Sequence, residues 1–168
     1  ELLNGDKNAI LIAARILGYG KEYDFMYTDP STGVSEPVRS DLSTLDSKPL
    51  DESLYTSGKN EFNFDLPFSK VIVTFKLLTH GDEQKIEAEI KGLQKIKPES
   101  SSELTTRMKY IITSINGDYD QKSIRNFVDN ALLAPDARAL RQYYAQISPD
   151  INMKFMPDDE NYTGEGID

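Results

Sequence analysis

The apolar positions of this 168-residue chain change period several times, and each change marks a new element. In NGDKNAILIAARILGYG, Ile10, Ala13, Ala14 and Leu17 recur at helical spacing, Asp6 offers a cap, and Gly18 and Gly20 supply a stop. This spacing predicts a buried first helix. Tyr23, Phe25 and Tyr27 then alternate at period two, Asp29-Pro30-Ser31-Thr32-Gly33 carries turn chemistry, and Val34 to Val38 returns, which predicts a hairpin. Residues 41 to 59 are polar and contain Pro49 and Gly58, so they predict a long loop with a short helical turn. Phe62, Phe64 and Leu66 alternate again, as do Val71, Val73, Phe75 and Leu77 beyond Pro67-Phe68-Ser69. A second hairpin with one apolar face follows.

After Thr79 the period becomes helical. Thr79 with Asp82 and Glu83 makes a helix-start signature, and Ile86, Ile90 and Leu93 form the stripe of a helix running to about Ile96. A next helix is expected from about Ser102, with Leu104, Met108, Ile111, Ile112 and Ile115 on one face and Asn116-Gly117 as its stop. Asp120 caps another, bearing Ile124, Phe127, Val128, Ala131 and Leu132, and Pro135 suits the first turn of a last one with Ala137, Leu140, Tyr144 and Ile147 inside. INMKFMP and the acidic tail predict a strand and a turn. Runs of strands followed by runs of helices imply an α+β fold: two antiparallel β-hairpins packed with a helical bundle, plus a C-terminal strand or hairpin. The expected organisation is one compact unit made of an N-terminal helix and hairpin region (1–78), a helical region (79–148) and a C-terminal strand with an acidic turn (149–168). The opening at Glu1 without Met and the stop at Asp168 amid strand-like residues read as a piece of a longer polypeptide.

Composition narrows the function. The chain holds no cysteine, no tryptophan and one histidine, with 28 Asp+Glu against 19 Lys+Arg and a net charge of −9. Most catalysis at neutral pH uses an imidazole, a thiolate, a metal cluster or a phosphate-cradling loop, so the expected protein is not an enzyme and takes no cofactor. The acidic balance argues against a nucleic-acid partner. The longest apolar run, Ala9 to Ala14, is closed by Arg15 and falls far short of the roughly 20 residues that span a bilayer, so no membrane role is expected.

Four features carry candidate chemistry. His80 beside Asp82 and Glu83 has the residue types of a general base or metal site, but a helix first turn attracts the same acids, and no nucleophile motif accompanies it. Asp159, Asn161, Thr163 and Gly164 follow the opening of a calcium loop, yet the acid needed at its twelfth position would fall beyond Asp168, so an acidic turn is the expectation and no metal is assigned. Gly18-Tyr19-Gly20 follows a helix rather than a strand, which makes it a terminator and not a phosphate loop. Arg125, Arg138 and Arg141 stand out in an acidic chain. Arg138 and Arg141 lie at i,i+3 near Tyr143, and Arg and Tyr are favoured interface anchors, so Arg138, Arg141 and Tyr143 are the candidate partner contacts, with the loop from Asp41 to Lys59. The competing reading pairs these arginines with Asp129 or Asp136.

The stretches GDKNAILIAARILGYGKEYDF, FKLLTHGDE, ITSINGDYD, FVDNALLAPDARALR and SPDINMKF, taken together, resemble the baseplate hub or hub-assembly proteins of T-even-like contractile-tailed bacteriophages. The resemblance implies a non-enzymatic structural component or assembly factor of the baseplate hub. Its partners would be other baseplate or tail proteins, homo-oligomerisation being open, and its place the virion tail or the host cytoplasm during assembly. Some relatives carry Cys pairs at the hairpin turns, where this chain has Asp29-Pro30-Ser31 and Pro157-Asp158-Asp159. Its hairpins would therefore stand without zinc. The alternative, from charge alone, is a small acidic binding module that sequesters a basic protein.

Overall fold

Strand and helix signals segregate along this chain, and the computed structural model, which describes residues 2–30, 32–96 and 103–152, is α+β. Its elements are α1 (Asn4–Tyr19), β1 (Glu22–Thr28), β2 (Ser35–Asp41), β3 (Phe62–Asp65), β4 (Ile72–Phe75), α2 (His80–Ile96), α3 (Glu103–Ile111), β5 (Ile112–Ile115), α4 (Gln121–Asn130) and α5 (Ala134–Ile147). They fall into two compact units, Glu1–Asn4 with Leu50–Ser148 and Gly5–Pro49 with Pro149–Asp168. The second hairpin groups with the helices after it rather than with the first hairpin. The reason is β5, which pairs with β4 and ties the second hairpin to the helices that follow it.

In the larger unit, β3, β4 and β5 form an antiparallel sheet in that order. Phe62 pairs with Phe75 and Phe64 with Val73, so the alternation of the sequence becomes one apolar face. The other face carries a hydroxyl ladder: Ser114 Oγ donates to Thr74 Oγ1 at 2.8 Å, and Thr74 Oγ1 to Asn63 Oδ1 at 3.1 Å. Tyr143 of α5 stacks on Phe64 at 5.0 Å and meets Phe75 edge-on at 5.9 Å. Phe75, Leu66, Ile86, Ile112, Ile124, Leu140 and Ile147 are the largest apolar side chains fully buried in this core.

Two helix starts match their sequence signals. Asp120 caps α4 by accepting from Ser123 N at 2.9 Å. At α2, Thr79 Oγ1 accepts from Asp82 N at 3.2 Å while Asp82 Oδ2 accepts from Thr79 N at 3.2 Å, a reciprocal capping box. Lys76 Nζ lies 2.7 Å from the same carboxylate. Burial pushes the Asp82 carboxyl upward, but Lys76 and Thr79 together outweigh it and hold the group below the usual carboxylate range. Thr79→Ala removes one side of the box and should lower stability by about 1 kcal/mol, measurable as a shifted urea midpoint.

The helix expected from Ser102 through Ile115 stops early. α3 ends at Ile111 and the chain continues as β5. Ile111-Ile112-Thr113 is a β-branched run whose side chains serve a helix stripe and a strand equally well. The hydrogen-bonding edge of β4 decides between them. Asn116 and Gly117, read as a helix stop, are the left-handed pair (φ 49° and 83°) of the tight turn after β5.

In the smaller unit, β1 and β2 pair with Phe25 opposite Val38, as the spacing predicts. Arg15 closes the end of α1: its guanidinium donates to the carbonyls of Gly20 (3.1 Å) and Glu22 (3.4 Å) and lies 4.9 Å from the Tyr19 ring centre. Lys48 N donates to Asp150 O and Asn152 N to Asp46 O, both at 2.9 Å, which makes a short bridge between Ser47 and Ile151. The remainder of the expected C-terminal strand and its acidic turn, from Met153 on, lies outside the described residues.

The buried first helix is corrected. α1 begins at Asn4, so Asp6 sits within its first turn rather than capping it. Of the stripe expected to face a core, Ile10, Ala13, Ala14 and Leu17 are all exposed. Gly5 and Tyr27 are the buried residues among those described in this unit.

Candidate interaction surface

The acids around His80 already have structural partners. Asp82 serves the α2 cap and Lys76, while Glu83 Oε1 takes Arg107 Nη1 at 2.7 Å and Asn4 Nδ2 at 2.9 Å. His80 is half-buried at the first position of α2, with Nε2 3.3 Å from Gln84 Nε2. Among the described residues no group of three or more His, Asp or Glu side chains is placed to hold a metal ion. The calcium-like pattern at 159–164 lies outside the described residues.

The arginines part company. Arg125 forms a fork with Glu89 at 2.8 and 3.0 Å across α4 and α2, and Tyr110 Oη donates to Glu89 at 2.9 Å. The Arg125 hydrogen bond is the main cause holding the Glu89 carboxyl below its ordinary value. Arg125 therefore pairs with neither Asp129 nor Asp136. Lys109 takes Asp129 at 2.7 Å, and Asp136 receives backbone amides. Arg138 and Arg141 are exposed on one side of α5, roughly 60° apart about the helix axis. Tyr143 is half-buried about 140° round from Arg138, in the stack with Phe64. The three expected contact residues thus do not share one face: two point to solvent and the third packs on the core.

The polar loop is ordered by acids. Asp41 and Asp51 each accept from the backbone N–H of the serine two residues on, Ser43 at 2.9 Å and Ser53 at 3.0 Å, and each starts a single 3₁₀ turn. The Lys21 side chain, then Ser43, hold the Asp41 carboxyl down to about 2.

The surface that sequence reasoning missed is apolar and belongs to the smaller unit. Ile10 and Leu11 are each 55% exposed and Leu17 89% exposed on α1, and Tyr23, Met26 and Val34 are exposed on the hairpin. The helical periodicity that marks this stripe was the available signal; it identifies an apolar face without saying what covers it. No helix among the described residues is long and apolar enough to cross a membrane. This chain matches no protein-family model, no curated protein and no solved structure.

Proposed function

We propose that this chain is a non-enzymatic component or assembly factor of a contractile phage-tail baseplate hub, acting through protein–protein contacts. The family resemblance of five stretches between Gly5 and Phe155 points to the tail. The observation that carries the contact role is the apolar stripe of α1, left in solvent on a unit whose described residues bury little else. Contiguous exposed apolar surface on a folded chain marks a partner site. Its place of action would be the virion tail or the host cytoplasm during assembly.

The net charge of −9 favours a second reading, a module that captures a basic protein. Salt separates the two. Mixed with purified hub proteins, the chain should co-migrate in size-exclusion chromatography at both about 0.1 and about 0.5 M salt, because an apolar contact is not screened. A 1:1 complex with a basic protein that dissolves over that range would favour the second reading. Failure to associate with any hub protein would remove the first.

A further inference from the structure

We propose that Asn116 is a site of covalent self-modification, in which the backbone nitrogen of Gly117 attacks the Asn116 side-chain carbonyl carbon once the turn after β5 opens. The inference does not rest on the tail reading. An asparagine amide is labile where the next residue has no Cβ to obstruct the approach of its nitrogen. The chain has two such pairs, Asn4–Gly5 and Asn116–Gly117. At the first, Gly5 is buried and Asn4 Nδ2, the leaving group, donates to Glu83 Oε1 at 2.9 Å. At the second, both residues are exposed to water, the co-reactant. Solvent takes the Gly117 N–H proton, the bond from nitrogen to Cγ forms, and Nδ2 leaves with a solvent proton as ammonia. Water then opens the five-membered imide to aspartate or isoaspartate, and nothing is oxidised or reduced.

The closed turn holds this chemistry off. Ile115 and Asp118 exchange both backbone hydrogen bonds at 2.9 Å, with Asn116 and Gly117 as the left-handed pair between them. In a turn of this kind Gly117 N lies nearly opposite Cβ about the Asn116 Cα–C bond, out of reach of Cγ. Ring closure needs it beside Cβ, so Asp118 N must first release Ile115 O. The side chain is pinned as well. Asn116 Oδ1 accepts from Ile72 N at 2.9 Å while Asn116 N donates to Ile72 O at 2.7 Å, so the side chain extends the β4–β5 ladder by one bond. The two products then differ. Aspartate keeps an acceptor for Ile72 N and tolerates the left-handed conformation. Isoaspartate routes the backbone through Cβ and Cγ, which adds one atom between Ile115 and Asp118 and prevents both of their bonds from reforming. A transient opening thereby becomes a lasting one.

The intact 168-residue chain is held at mildly alkaline pH with and without denaturing urea, then digested, and its Asn-bearing peptides are followed by mass spectrometry. In urea both Asn–Gly pairs should convert, with Asn4 calibrating the intrinsic rate. In the folded chain Asn116 should convert at least about tenfold more slowly, and this retardation should match the hydrogen-exchange protection of the Asp118 amide within about threefold. Gly117→Ala, compared in urea so that its strain at φ 83° does not enter, should lose the reaction at Asn116 and keep it at Asn4. Asn116→Asp should retain exchange protection at the Ile72 amide, while the isoaspartate fraction of aged protein should lose it. No conversion of Asn116 in urea, a folded rate equal to the unfolded one, or a retardation departing more than about threefold from Asp118 protection would each overturn the proposal. So would an unprotected Ile72 amide in Asn116→Asp. None of these readouts involves a hub protein, so the proposal and the tail reading fail separately.

Discussion

Asp136→Ala should be among the most damaging single substitutions in the larger unit, lowering its stability by about 3 kcal/mol in urea denaturation at pH 7. Asp136 stands in the first turn of α5 and its side chain is fully buried. Its two oxygens accept separate backbone amides from the turn between β3 and β4, Phe68 N at 2.8 Å and Ser69 N at 3.0 Å. That turn passes through Lys70 at φ 58°, a left-handed conformation a side-chain-bearing residue adopts reluctantly, so its shape depends on outside support. Alanine removes the acceptor and leaves two donors without a partner, each costing about 1–3 kcal/mol, against which the small propensity gain of alanine in a helix is minor. Asp136→Asn should lie between: the carbonyl of the new amide can take one N–H, while its NH₂ confronts the other donor.

The pH dependence distinguishes lost charge from lost shape. Burial pushes the Asp136 carboxyl up, but the Phe68 amide, Ser69 and the nearby Lys70 charge together outweigh it and the group lies below its ordinary value. A carboxyl depressed in the folded state contributes stability that is fully present above its unfolded pKa of about 3.9 and disappears as pH falls through the folded value. The difference in stability between wild type and Asp136→Asn should therefore be flat from pH 7 to about 5 and shrink below about 4. Taking the difference removes Asp82 and Glu89, whose carboxyls are also held low and titrate in the same window. A gap that persists unchanged at pH 3 would mean that packing, not the carboxylate, supports the turn.

What was legible in the sequence is what neighbours in the chain decide. The hairpins, the Thr79–Asp82 box, the Asp120 cap and Pro135 at the start of α5 each follow from residues within a few positions of one another. β5 was not legible, because Ile111, Ile112 and Ile115 satisfy both periods and the choice falls to β4, about forty positions earlier. Asp136 read only as a partner for an arginine, since its amide partners lie 67 and 68 positions away. For the interaction surface, i,i+3 spacing placed Arg138 and Arg141 together, whereas the five-residue step from Arg138 turns Tyr143 into the core. The stripe on α1 was identified as apolar from its spacing, but periodicity cannot assign a face to the inside of one molecule rather than to a contact between two.

Gly5→Ala tests the packing of the smaller unit, and its sign runs against intrinsic preference. In a solvated helix, alanine is favoured over glycine by about 1 kcal/mol, so on propensity alone the substitution would stabilise α1. Gly5, however, is buried, and a methyl group there would overlap the carbonyl of Pro149 and stand 3.0 Å from Asp150 Cα. Both neighbours are backbone, so no side-chain rotation can make room. The segment is also held in place: Asp150 O accepts from Lys48 N, Asn152 N donates to Asp46 O, and Asp150 Oδ1 accepts from Asn8 Nδ2 at 3.1 Å. Relief therefore means moving Pro149 and Asp150 off the first turn of α1 and stretching those bonds together. Overpacking against a fixed neighbour costs about 3 kcal/mol, which exceeds the propensity gain threefold. Gly5→Ala should accordingly lose hydrogen-exchange protection at Lys48 and Asn152 while the amides of β3–β4 keep theirs. Gly18 is the internal control, since an added methyl there meets nothing within 4 Å. Gly18→Ala should leave those two amides protected, and equal behaviour of the two variants would show that the approach of Pro149 to α1 does not constrain the chain.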